Sequence, residues 1–184
     1  MFPTLVRSIA DTNAHWQDRF RICEFSAQPD HVHMIVEADD QAALVDGMRG
    51  FEIRTSRRMN RLLMERGGFF ADRWHGRALT SPRNTRNAIV YVLANHAKHS
   101  GERPCASVDR YSSAPYFRDF IEFRGRAPYE TSADLLGAEY DAEEILSRES
   151  CDRTLLPVAR ARTWLLSIGW KRHGLISILE RPHS

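Results

Sequence analysis

Four residues have the types and spacing to handle a phosphate ester: His31, His33, Tyr91 and Asn95. The histidines lie two apart in the run Asp30-His31-Val32-His33-Met34-Ile35-Val36-Glu37. In a strand, alternate side chains share a face. Both imidazoles therefore point one way, and Val32, Met34 and Val36 point the other. Paired imidazoles make half of a divalent-metal site. A His-x-His pair by itself is more often a surface or hydrogen-bonded feature, so it needs a second group. A helix expected over 82–99 supplies one. At 100° per residue, Asn84, Asn87, Asn95 and Lys98 all fall within about 40° of Tyr91. Ile89, Val92 and Leu93 fall on the far side. A tyrosine centred on a polar stripe is either a snorkelling surface residue or a functional one.

Together these groups describe one chemistry. His31, His33 and the Oδ1 of Asn95 could hold a divalent ion that keeps open positions and polarises a phosphodiester. The Tyr91 hydroxyl, with a reference pKa of about 10, would attack phosphorus with help from the ion or a base. A phosphotyrosine conserves the energy of the broken bond, so a second strand end can resolve it without a nucleotide cofactor.

The elements that must position these residues follow from patterning. Leu5, Val6, Ile9 and Trp16 recur at helical spacing over 4–18. Residues 19–27 alternate as a strand, with Phe20, Ile22 and Glu24 set against Arg21, Cys23 and Phe25. Gln28-Pro29-Asp30 is a turn, so this strand and the histidine strand form an antiparallel hairpin. Asp39-Asp40 caps a helix over 41–65, with an apolar stripe that includes Leu44, Met48, Phe51 and Met59. Arg54, Arg57, Arg58 and Arg61 lie on its other surface, where they could hold a nucleic-acid backbone or form an ordinary solvated face. Gly67-Gly68 ends this helix. The latter part of 69–79 reads as a third strand carrying Arg73, Trp74, His75 and Arg77. Arg73, His75 and Arg77 could contact DNA and Trp74 could stack on a base, although core packing is the commoner use of such aromatics. Ser81-Pro82 starts the next helix. Residues 101–129 are rich in Pro, Ser and aromatics, 130–150 are acidic and loop-like, and 158–180 look helical.

The chain has 184 residues and 42% hydrophobic content, enough for one domain with a proper core or for a domain with an appendage. Net charge is only +2, but residues 41–90 carry ten arginines against four acids, and residues 130–149 carry seven acids with the single Arg148. Arginine suits bidentate phosphate contacts, so the basic middle points to a polyanion. Three scattered cysteines without a Cys-x-x-Cys pair argue against a disulfide scaffold or zinc ribbon and fit a reducing cytoplasm. No apolar run approaches the roughly 18 residues of a membrane span. Residues 1–10 show no signal-peptide pattern. No Gly-rich loop precedes a Lys-Ser/Thr pair, so a nucleoside triphosphatase is not indicated.

The chain resembles the single-tyrosine HUH transposases (IS200-like), in particular the REP-associated tyrosine transposase branch. The residues that carry the resemblance are Pro29-Asp30-His31-Val32-His33-Met34-Ile35-Val36 and Tyr91-Val92-Leu93-Ala94-Asn95, with Arg57-Arg58-Met59-Asn60, Phe70-Ala71-Asp72-Arg73-Trp74-His75 and the tail from Thr163 to Leu175. Asp30 stands where the family usually has Asn. The resemblance implies an α+β, ferredoxin-like antiparallel sheet with helices on one face, whose first strand is missing ahead of the first helix here. It implies a catalytic domain over 1–126 and a mostly helical extension over 127–184. It further implies a transposase nicking and joining single-stranded, hairpin-forming DNA with Mg2+ or Mn2+. Tyr91 matches the nucleophile, His31 and His33 the metal ligands, and Asn95 a further ligand. An exchanged catalytic helix would make a homodimer, whereas a longer tail would favour a monomer. Two other readings stand beside it: a replication or mobilisation nickase, and a DNA- or RNA-binding remnant without catalysis.

Overall fold

A computed structural model describes residues 1–95, 108–123 and 156–182. The described elements run α1 (Phe2–Trp16), β1 (Phe20–Ala27), β2 (Val32–Ala38), α2 (Gln41–Leu63), α3 (Pro82–Leu93) and α4 (Trp164–Ser167), with short 3₁₀ turns at Ala114–Tyr116, Ile121–Phe123 and Gly169–His173. The architecture is α+β, and among the described residues the sheet is the two-stranded antiparallel hairpin β1-β2. No helix among them is long and apolar enough to cross a membrane.

The hairpin forms as expected, with one change of phase. Ile22 pairs with Val36 but Glu24 pairs with Ile35, so Cys23 is an extra residue, a β-bulge. The bulge moves Phe25 onto the side of Phe20 and Ile22, where strict alternation would have put Glu24. That side packs on α1 and α2 through Leu5, Ile9, Met48, Phe51 and Met59. The other side, with Cys23 and Ile35, packs on Ile89, Val90, Val92 and Leu93 of α3 and on Leu166, Trp170 and Ile176. Helices therefore cover both faces of the sheet, not one, because α3 brings an apolar face of its own that must be buried.

α2 starts where Asp40 accepts from the Ala43 N–H at 2.6 Å and ends at Met64, which takes the left-handed conformation (φ 57°). Gly47 lies against the Phe20 ring, where a Cβ would come within 2.2 Å of Cγ. The chain then runs irregularly over 64–81. The expected third strand is not formed. Its aromatic and basic texture suits a strand, but a strand needs a ladder partner, and residues 71–78 are exposed across an open cleft from β2.

α3 is capped by Ser81, which accepts from the Asn84 N–H, and ends at Leu93; Ala94 already leaves helical geometry (φ −111°). The expected helix over 158–180 is shortened to α4 and the 3₁₀ turn at Gly169–His173. Ile168 breaks the helix (φ −132°), and Gly174 ends the turn at φ 91°. The expected boundary at 126/127 and the acidic stretch 130–150 lie outside the described residues.

The outer edge of β1 is covered. Ser113 N–H donates to Phe25 O at 2.8 Å and Ala159 N–H to Ile22 O at 2.9 Å. Asn13 accepts from Ile22 N–H at 2.7 Å and donates to Pro157 O at 2.8 Å.

Candidate active site

The hairpin turn and α3 bring three of the four expected groups together. The Nε2 atoms of His31 and His33 lie 2.9 Å apart. The Tyr91 hydroxyl lies 3.3 Å from His33 Nε2, and its ring meets the His33 ring edge-on with centroids 4.9 Å apart. His33 projects from β2 on the Ile35 side, opposite Val32, Met34 and Val36, as its spacing predicts. α3 packs its apolar residues into the core on that side, which turns Tyr91 toward His33.

His31 stands just before β2. Its Nδ1 lies 2.6 Å from Asp30 Oδ1. The turn beneath is closed by Gln28 N–H donating to His31 O at 2.8 Å, with Pro29 suited by its fixed φ to the second turn position.

This geometry can be tested against a divalent ion. Two donors bound at a right angle with bonds of about 2.1 Å are about 3 Å apart, and the two Nε2 atoms meet that spacing. Among the described residues no group of three His, Cys, Asp or Glu side chains gathers, so the charged and imidazole set stops at two nitrogens. Mg2+ favours oxygen ligands, so Mn2+ suits this pair better. The residues fit an ion that takes its remaining ligands from other oxygens.

Asn95 departs from the expected picture. It is fully buried, it does not line the cleft occupied by the other three, and its amide finds no hydrogen-bond partner. The helical phase that put it beside Tyr91 does not extend past Leu93, where α3 ends.

His31, His33 and Tyr91 open onto a cleft of about 2220 Å³ that β2 lines along its whole length. Arg73, Trp74, His75 and Arg77 form its opposite wall. The α2 arginines do not line it. Arg58 instead pairs with Asp11 of α1 and donates to Ser8 Oγ at 3.2 Å. Arg57 and Arg61 are exposed and Arg54 is half-buried, away from the cleft. Lys98 lies outside the described residues.

Thr163, Leu165, Leu166 and Glu180 complete the cleft wall. The first three lie in the tail that carries part of the resemblance, but no local pattern places any of the four beside the histidines, because each is brought in by long-range contacts. Glu37, on the His33 side of β2, accepts from Arg162 N–H at 2.8 Å, Thr163 N–H at 2.9 Å, Thr163 Oγ at 2.6 Å and Arg21 Nε at 3.1 Å. Burial alone would raise its pKa, but the donors from Thr163, Arg162 and Arg21 together hold it below the usual carboxylate value. Arg86 of α3 binds both Glu180 oxygens, at 2.6 and 2.7 Å.

With this geometry in place, comparison with known families is informative. Residues 5–78 match the family model described as Transposase IS200 like. The match takes in the hairpin with its two histidines, α2 and the arginine-bearing wall. Over that stretch the chain is similar to the IS200-like transposases, and Tyr91 lies beyond the matched span. No curated protein and no solved structure matches the chain significantly.

Proposed function

We propose that this protein is a metal-dependent, REP-associated-type tyrosine transposase of the HUH class that nicks and rejoins single-stranded DNA through a 5′-phosphotyrosine at Tyr91. The observation that carries the reading is the Tyr91 hydroxyl 3.3 Å from an imidazole nitrogen of the His31–His33 pair. The transposase-family match over residues 5–78 supports it. On this reading the hairpin, α2 and α3 are parts of a ferredoxin-like domain.

His31 and His33 would hold Mg2+ or Mn2+ through their Nε2 atoms, with Asn95 a further ligand only if the end of α3 rearranges. The bound ion supplies Lewis-acid polarisation of the phosphodiester. Tyr91 Oη attacks phosphorus as its proton passes to solvent. The bond from phosphorus to the 3′ oxygen breaks, and that oxygen takes a proton and leaves as a 3′-hydroxyl. The 5′ phosphate stays on Tyr91 until another 3′-hydroxyl attacks it and releases the phenol. Arg73, His75 and Arg77 hold the strand across the cleft by phosphate contacts that carry no sequence information, and Trp74 stacks on a base. A hairpin-forming strand is the substrate class, and an exchange of α3 between copies would give a homodimer.

A labelled hairpin oligonucleotide incubated with the protein and Mn2+ tests this. A covalent protein–DNA band lost on adding chelator, and lost in Tyr91→Phe while binding is kept, supports the enzyme. The buried position of Asn95 favours a second reading, a DNA-binding protein without catalysis, which predicts binding but no covalent band.

A further inference from the structure

We infer that Asp30 is a positioning residue that fixes the tautomer and orientation of His31 for metal binding; this rests on the metal site proposed above. The Asp30 carboxylate oxygen lies 2.6 Å from His31 Nδ1, while His31 Nε2 lies 2.9 Å from His33 Nε2. A neutral imidazole carries one proton. An acceptor as strong as a carboxylate on Nδ1 draws that proton there and leaves the Nε2 lone pair directed at the position shared with His33.

The turn makes this contact local and pre-set. Asp30 occupies the third position of a four-residue turn whose ends are closed by Gln28 N–H donating to His31 O at 2.8 Å. Pro29 has a fixed φ and restricts Gln28 before it, so the turn that carries Asp30 has few conformations open to it. The carboxylate therefore needs little chain ordering to reach the ring. His33 Nε2 has Tyr91 Oη at 3.3 Å as well as His31, so the two imidazoles are not equivalent. His31 is oriented by a carboxylate, and His33 is the one beside the nucleophile.

The test uses the full chain and two readouts other than catalysis. Nitrogen-15 spectra of the metal-free protein report which nitrogen of His31 carries the proton. Titration with Mn2+, followed by electron paramagnetic resonance, reports affinity. In the unsubstituted protein His31 is expected in the Nδ1–H form. Asp30→Ala should lose that preference and weaken Mn2+ binding about ten- to a hundredfold. Asp30→Asn, whose Oδ1 can still accept from Nδ1–H, should keep the tautomer and bind Mn2+ with intermediate affinity. Circular dichroism checks that both variants fold. An Nε2–H tautomer in the unsubstituted protein overturns the inference. So does Mn2+ binding that needs His31 and His33 but is unchanged in Asp30→Ala, and that outcome leaves the metal site standing. Failure of the unsubstituted protein to bind Mn2+ overturns the metal site and the role of Asp30 together.

Discussion

The carboxylate of Glu37 accepts a 2.9 Å hydrogen bond from the backbone N–H of Thr163, a residue 126 positions later in the chain. Through it the C-terminal segment is fastened to the face of β2 that carries His33. The same segment contributes Leu166, Trp170 and Ile176 to the core that holds α3. The helix that presents Tyr91 is therefore held from both sides, by the hairpin and by the C-terminal segment.

Glu37→Ala should be costly. The Arg21 and Glu37 side chains are only 6% and 3% exposed, so removing Glu37 leaves the buried guanidinium with only the longer 3.6 Å pair to Asp39, at a cost of about 3 kcal/mol. Urea denaturation would read this as a lower midpoint. Because the folded pKa of Glu37 is lowered, its contribution is full above the unfolded carboxylate value. It is lost as pH falls through the folded value, so the unsubstituted protein should weaken in acid more than Glu37→Ala does.

Glu24 has the opposite sign. Burial, opposed by a hydrogen bond from Ser113 and reinforced by the Asp119 carboxylate, pushes its pKa from 4.5 up to about 8. Its contribution is full below the unfolded value of 4.5 and is lost as pH rises toward 8. Glu24→Gln should remove this loss and gain roughly 3 kcal/mol at pH 8 relative to pH 5. Thermal melts at the two pH values would show it, and parallel profiles for both proteins would refute it.

The arginines should divide into two groups. Arg73 and Arg77 line the cleft, whereas Arg57 and Arg61 do not. Replacing Arg73 and Arg77 together by Ala should weaken single-stranded DNA binding and flatten its logarithmic salt dependence by about 1.4, or about 0.7 per phosphate contact. Replacing Arg57 and Arg61 should leave the slope unchanged. Arg58→Ala should lower stability, because it removes the pair with Asp11 that joins α1 to α2. Fluorescence anisotropy over a salt series separates these outcomes.

Much of the site could be read from local pattern. Alternation gives the face of His33, and Ser81 and Asp40 mark where α3 and α2 begin; the wheel centred on Tyr91 puts it opposite the core, whereas it is half-buried against the core's edge. What local pattern missed has identifiable causes. An extra residue at Cys23 reverses the phase of β1, and no propensity scale shows a bulge. The wheel overran Leu93, so Asn95 was placed on a polar face although it is buried. Residues 69–79 have strand texture but lack the ladder partner that makes a strand. Arg58 looked like its neighbours because its partner, Asp11, lies on another helix. Glu37 gave no hint that it binds a segment far along the chain.

The most direct test of the central claim is to identify the residue that carries DNA. The protein would be incubated with a single-stranded hairpin oligonucleotide and Mn2+, digested with nuclease and protease, and analysed by mass spectrometry. The account predicts a nucleotide phosphate on the peptide containing Tyr91, and none in the presence of chelator. A nucleotide on Tyr111 or Tyr116, or no adduct while the DNA is bound, would contradict it.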